Sequence, residues 1–223
     1  MRLTILGRSP ARPNPGEACA GYLVEGGGSR ILMDVGPGVV AQLLRRNTPD
    51  ELDAVVISHM HTDHCLDLIT LRYSYPWIDV AKKRLTVIVP PGSTGQLAEM
   101  ALGAGYANFF DKSFIFVEHD GKRPIEIGNL RLEPEETQHY VRTWGFRIAA
   151  TGPDEDPNRI LTYSADSGPC DALPAWPMAR ISSCARPRFD RSRRTTPSHR
   201  AAATCCRRRR PPRRAMPAPG GCC

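Results

Sequence analysis

Ser58-His59-Met60-His61-Thr62-Asp63-His64 follows directly on the apolar run Asp53-Ala54-Val55-Val56-Ile57, and this junction decides how the rest of the chain is read. A short apolar run bounded by polar residues reads as a buried strand, so the cluster falls at a strand end. Three imidazoles and a carboxylate within six residues are costly to bunch together unless something binds them. His59 and His61 are two residues apart and so point to one side of an extended chain. Asp63 and His64 then turn toward a second position, an arrangement that suits two metal ions sharing one cleft. Imidazole and carboxylate donors suit Zn²⁺, with Mn²⁺ or Fe as alternatives, whereas Ca²⁺ would prefer oxygen alone. The competing reading is a solvated polar loop, and the spacing argues against it.

Working outward, the sequence up to about residue 174 is well patterned. Short apolar runs predict strands at 2–6, 20–25, 30–34 and 53–58, and again near 85–89, 113–118, 130–134, 143–150 and 159–164. Gly36-Pro37-Gly38 reads as a turn feeding an amphipathic helix from Val39 to Leu44, and a second helix is expected near 94–103. Strands in pairs with helices between some of them predict sheets covered by helices, an α/β class. A chain of 223 residues can bury one substantial core, so one domain over 1–174 is expected. No run of about 18 apolar residues exists, which argues against a membrane span. Met1 to Gly7 reads as an opening strand rather than a signal peptide, and a cytoplasmic location is the expectation.

The formal charge of +7 is unevenly distributed. From Ala175 onward there are 13 Arg, no Lys and one acidic residue, Asp190, which leaves 17 basic and 22 acidic residues in 1–174. The patterned part is therefore acidic, and the basic character belongs to the tail. Five of the eight cysteines also lie there, while Cys19, Cys65 and Cys170 show no paired spacing, so no disulfide framework or Cys-rich zinc site is indicated. Runs such as Arg207 to Arg210 followed by Pro211-Pro212-Arg213-Arg214 have no apolar period and cannot build a packed core.

A sharper reading of the tail comes from its codons. Trp176 and Met178 each have one codon, so Trp176-Pro177-Met178-Ala179 fixes much of the underlying string. Read one base earlier, it gives Leu, Val or Met, then Ala, an ambiguous residue and Gly. Continuing to Phe189 permits L-A-x-G-A-D-L-L-L-C-E-A-S-F, an apolar strand ending in a carboxylate, of the kind a buried sheet needs after Asp166. Residues 175–223 are therefore read as out of frame and disordered, against the alternative of a natural basic arm that binds nucleic acid.

His59-x-His61-x-Asp63-His64 after an apolar strand resembles the metallo-β-lactamase superfamily. Leu6-Gly7, the segment Ile31-Leu32-Met33-Asp34-Val35-Gly36-Pro37-Gly38 and Tyr163-Ser164-Ala165-Asp166-Ser167-Gly168 are similar to its phosphodiesterase branch, the group containing ribonuclease Z and small cyclic-nucleotide phosphodiesterases. The resemblance covers about 1–173. It implies an αββα sandwich whose C-terminal part is missing or disordered in this chain. It places His59, His61 and His139 on a first metal, Asp63 and His64 on a second, and Asp166 between them. His139 lies in Thr137-Gln138-His139-Tyr140, before the strand-like Trp144 to Ile148. Asp34 is either a carboxylate that orients a ligand histidine or a turn-forming residue, and the sequence leaves both open.

The implied activity is that of a dinuclear-metal phosphodiesterase using a metal-bridging hydroxide, with Asp63 as the catalytic group that shuttles its proton. The implied substrate is a small phosphodiester or an RNA end. The acidic 1–174 region has no long basic or Gly-rich insertion to grip RNA, and Asp67 stands where ribonuclease Z is expected to carry a small residue, so the small phosphodiester is favoured. A thioester hydrolase of the glyoxalase II type and an inactive frame-disrupted remnant are the alternatives. The resemblance also implies a homodimer. One departure matters: the family places a final metal histidine far downstream, and His199, the one histidine after Asp166, has no strand context and is not given that role. His119 and the aromatics Tyr73, Tyr75, Trp77, Phe109 and Phe110 are set aside as core residues rather than site residues.

Overall fold

A computed structural model describes residues 1–47, 49–75, 84–152, 155–156 and 159–169. The expectations for 175–223, together with His199, Trp77 and Cys170, lie outside the described residues.

Two sheets face each other. The first holds β1 (Arg2–Gly7), β2 (Gly21–Gly26), β3 (Ser29–Met33), β4 (Ala54–Val56), β5 (Leu85–Val89) and β6 (Phe114–Glu118), in that spatial order. Its first three strands pair antiparallel and the last four pair parallel. The second is an antiparallel sheet in the order β10 (Ile160–Tyr163), β9 (Thr143–Ala150), β8 (Leu130–Thr137), β7 (Ile125–Ile127). Helices α1 (Val39–Leu44), α2 (Thr62–Cys65), α3 (Leu68–Leu71) and α4 (Thr94–Gly103) follow strands of the first sheet and contribute to the core on its outer face.

The side-chain pattern explains the layers. Strand residues alternate between faces, so Leu32, Val55 and Val87 join the helix-side core while Ile31, Met33, Val56 and Ile88 join the core between the sheets. A sheet covered on both faces needs apolar residues at every position, which is why β3 to β5 read as continuous apolar runs. The second sheet alternates instead. Leu130, Leu132, Trp144, Phe146 and Ile148 turn inward, and Glu133 pairs with Arg147 across the outer face at 2.9 Å. Each fully buried large apolar side chain here contributes roughly 1.5–3 kcal/mol. The described residues thus form helix, sheet and sheet layers. A helical layer over the second sheet would lie outside the described residues.

All nine predicted strands and both predicted helices are present. The structure adds β7 and two single-turn helices, α2 and α3, which are too short to leave a period in the sequence. Tyr75, Phe109 and Phe110 are core residues as expected, whereas Tyr73 is 60% exposed. Cys19 and Cys65 are buried free thiols. Among the described residues, no helix is long and apolar enough to cross a membrane.

Candidate metal centre

The cluster sits at the carboxyl end of β4, where parallel strands of an open sheet generally present their ligand sites. Ile57, Ser58 and His59 leave the strand fully buried. His59 and His61 fall on one side of the extended segment, and Met60 packs against the helix-side core. The chain then turns into α2, which brings Asp63 and His64 round. Their backbone is clamped: Ala20 N–H donates to the Asp63 carbonyl at 3.2 Å and Val35 N–H to the His64 carbonyl at 2.7 Å. Gly36 is required by this clamp, because a Cβ there would lie 1.8 Å from the Asp63 carbonyl oxygen.

Two later segments close the cluster. His139 comes from the loop joining β8 to β9, and Asp166 follows β10. The Thr137 hydroxyl donates to the Asp166 carbonyl at 3.3 Å, and Gly168 N–H donates to the Gln138 carbonyl at 2.7 Å, so the two segments hold each other. Ala165, just before Asp166, has a left-handed backbone with φ of 51°. Such a conformation persists in a non-glycine residue when its surroundings over-determine it.

The side-chain nitrogen and oxygen atoms converge in two groups. His59 Nε2 and His139 Nε2 each lie 3.1 Å from His61 Nδ1. His64 Nε2 lies 3.6 Å from an Asp63 oxygen and 3.5 Å from Asp166 Oδ1, while Asp166 Oδ2 lies 3.9 Å from His139 Nε2. The two oxygens of Asp166 therefore face the two groups, one each. Donor atoms of His59, His61 and His139, and separately of His59, His64 and Asp166, all lie within 4.8 Å of one another. Five of the six residues singled out in the sequence fall in these two groups, and Asp63 lies beside the second through its 3.6 Å approach to His64.

This donor set fits cations. In a tetrahedral zinc site with Zn–N bonds of 2.0–2.1 Å, neighbouring nitrogens are about 3.3 Å apart, close to the 3.1 Å seen here. Asp166 Oδ1 is buried with no hydrogen-bond partner among the described residues, which a buried carboxylate oxygen otherwise avoids.

Asp34 resolves the choice left open by the sequence. Fully buried, it accepts from Ser58 N–H at 2.7 Å, Ser58 Oγ at 2.8 Å, His64 Nδ1 at 2.7 Å and the Tyr163 hydroxyl. Ser58 Oγ in turn lies 3.0 Å from His59 Nδ1. One carboxylate thus orients a histidine in each group, His64 directly and His59 through Ser58, leaving each Nε2 turned toward the cluster. Its backbone is left-handed as well, with φ of 56°. Burial opposes ionisation of Asp34, but the charge and hydrogen bond of His64 outweigh it and keep its carboxyl below the usual range. Burial likewise works against a charge on His64, yet Asp34 and Asp166 on either side raise its pKa. His59 is pushed down by burial and by His64. Ser58 and Tyr163 were not singled out in the sequence, where a serine before the histidines and a strand-end tyrosine carry no signal of their own. Asp67 has a structural role, accepting from Val40 N–H at 3.0 Å at the start of α1.

Two facing sheets with this turn at a parallel strand's end, closed by a hairpin histidine and a post-strand aspartate, define a metallo-β-lactamase-type domain. The chain belongs to the beta-lactamase superfamily: the sequence profile of that domain matches residues 29–184, more than half its length. An uncharacterized protein of Mycobacterium leprae is 33% identical over 181 residues, covering 78% of this chain and 60% of its own. A ribonuclease Z of Haloferax volcanii is 28% identical over 166 residues, covering 74% of this chain and 51% of its own. Among solved structures, the metallo-beta-lactamase fold protein YhfI from Bacillus subtilis superposes with a TM-score of 0.64 at 24% identity, over 77% of this chain and 65% of that one. The chain therefore spans about half to two thirds of the length of these relatives.

Proposed function

We propose that this domain is a metal-dependent phosphodiesterase acting on a small phosphodiester, with His59, His61 and His139 holding one divalent cation, Asp63 and His64 a second, and Asp166 between the two. The observation that carries the reading is the approach of three imidazole nitrogens within 3.1 Å contacts, beside a carboxylate whose two oxygens face two donor groups. The ribonuclease Z relative supports a phosphodiester as substrate, and the cationic site matches an anionic centre.

Bound divalent ions would supply Lewis acidity, bringing a coordinated water's pKa to about 7 and neutralising the diester's oxygens. The chain's own part is positional. With an ion bound, Asp34 would hold the remaining proton on Nδ1 of His64 directly and, through Ser58, on that of His59, leaving both Nε2 atoms to the ion. Asp63, partly exposed beside His64, is the group placed to take and return a proton of the attacking water. Zinc is the preferred ion for this donor set, with manganese or iron next.

The test compares the purified full chain, loaded with each metal, on bis-p-nitrophenyl phosphate and on a glutathione thioester. Phosphodiester turnover that a chelator abolishes is expected. Thioester turnover alone would replace this reading with a glyoxalase II type of hydrolase. Failure on both, with weak zinc binding, would favour a frame-disrupted remnant, which sequencing of the encoding DNA would check independently.

A further inference from the structure

His139 is carried by the tip of a hairpin. The ladder between β8 and β9 ends at the pair Thr137 and Thr143, which leaves residues 138–142 beyond it. His139 Nε2 nevertheless stands 3.1 Å from His61 Nδ1, an atom on the turn after β4 in the other sheet. Loops are the mobile parts of a scaffold, so a ligand on a loop is only as precise as the contacts that hold it. One such contact ties the tip to the segment after β10, where Gly168 N–H donates to the Gln138 carbonyl at 2.7 Å.

A second anchor is Arg142. Its guanidinium meets Glu136 through two contacts, Nε to Oε1 at 2.9 Å and Nη2 to Oε2 at 3.1 Å. This bidentate geometry gives an arginine–carboxylate pair a fixed orientation, which a lysine would not reproduce. Glu136 and Trp144 are directly opposed in the ladder, so their side chains lie on one face of the sheet. Arg142 turns to the same face and places its guanidinium carbon 4.7 Å from the Trp144 ring centroid. Trp144 is itself fully buried, and its N–H donates to the Ser58 carbonyl at 3.1 Å. Arg142 therefore joins both strands of the hairpin to a residue bonded to the turn that carries His59. An isolated surface ion pair contributes little, but a bidentate pair laid on a ring combines two interactions at one guanidinium.

We propose that Arg142 is a positioning residue for the metal centre: with Glu136 and Trp144 it locks the hairpin so that His139 stays aimed at the cation it shares with His59 and His61. The proposal rests on the metal-binding part of the function proposed above and adds to it a residue outside the donor set. Arg142 acts through the hairpin, so its effect is concentrated on the position that His139 serves. Asp63 and His64, at the other position, are clamped instead by the backbone amides of Ala20 and Val35.

The test titrates the apo full chain with zinc against a chromophoric chelator, in the wild type, Glu136→Gln, Arg142→Ala and the double variant. An exposed ion pair and an exposed cation–π contact each change an equilibrium by a factor of roughly 1.5–5. The dissociation constant of the tighter zinc should therefore rise by about 3- to 30-fold in Arg142→Ala, while that of the weaker zinc stays within about twofold. Glu136→Gln should raise it by about 1.5- to 5-fold, the share of the ion pair alone. The double variant should match Arg142→Ala, because the two side chains act as one unit. An unchanged tighter constant in Arg142→Ala, equal weakening of both zincs, or a double variant showing the full product of the single effects would overturn the proposal. If the wild type takes up no zinc, the metal-centre reading falls, and amide hydrogen exchange decides the clamp by itself. The Gly168 amide, which donates to the hairpin tip, should then exchange about 3- to 30-fold faster in folded Arg142→Ala than in the wild type. An unchanged Gly168 rate refutes the clamp.

Discussion

Replacing Asp34 by Asn isolates the orienting role of one buried carboxylate. The substitution keeps the volume, and Asn tolerates the left-handed backbone at φ 56°, so the fold has no steric reason to change. Asp34 Oδ1 accepts the Ser58 amide, an obligate donor, so the oxygen of the new side-chain amide is expected there. Its NH₂ group then faces Ser58 Oγ, the Tyr163 hydroxyl and His64 Nδ1, three groups that all donate to Oδ2 in the wild type. The hydroxyls can rotate and accept. His64 can accept only by moving its proton to Nε2, the nitrogen facing Asp63 and Asp166. The ligand lone pair at the second position is thereby lost in the favoured tautomer. Groups that orient a metal ligand in this way are worth about 10- to 100-fold in affinity, or roughly 1.4–2.8 kcal/mol. Titration of the apo chain with zinc against a chromophoric chelator measures it. The dissociation constant of the weaker zinc should rise by that factor, with a smaller effect on the tighter one, which depends on Asp34 only through Ser58. Two unchanged constants in a folded Asp34→Asn protein would refute the reasoning.

Three further outcomes follow from the geometry. Asp63→Asn removes the proton acceptor beside His64, and phosphodiester kcat should fall by about 10²- to 10⁴-fold, measured with bis-p-nitrophenyl phosphate at saturating metal. Gly36→Ala places a Cβ 1.8 Å from the Asp63 carbonyl and 2.8 Å from Cys19 Cβ, so the clamp on the Asp63–His64 backbone must open; urea unfolding should show a loss of about 3 kcal/mol or more, with weakened zinc uptake. His119 is buried against Trp144 and Phe146, and burial lowers its pKa from 6.5 to about 4. The unfolded chain therefore binds its proton first as pH falls, and stability present above pH 6.5 is lost progressively toward pH 4, on the order of 2 kcal/mol. That share of the acid sensitivity should disappear in His119→Phe when unfolding free energies at pH 7 and pH 4.5 are compared.

What the sequence could disclose depended on distance along the chain. His59, His61, Asp63 and His64 were legible because a strand and the turn after it carry their own periodicity. His139 is 78 residues from His61, a separation that leaves no pattern, and only the resemblance placed it and Asp166 in the cluster. Asp34 stayed ambiguous for a physical reason: an Asp before a glycine turn can adopt a left-handed backbone as a turn residue or as an orienting group, and only its four donors tell which. In the fold, the long apolar strands were clear, while three-residue β7 and the single turns α2 and α3 take their conformation from tertiary contacts.

The central claim is that these six side chains grip a pair of cations. A crystal of the zinc-loaded chain, measured on both sides of the zinc absorption edge, tests it with the fewest intermediate assumptions. The account predicts one anomalous peak about 2.0–2.1 Å from His59 Nε2, His61 Nδ1 and His139 Nε2, and a second between Asp63, His64 and Asp166, the stronger occupancy at the first. Anomalous density elsewhere on the surface, with none among these residues at saturating zinc, would contradict it.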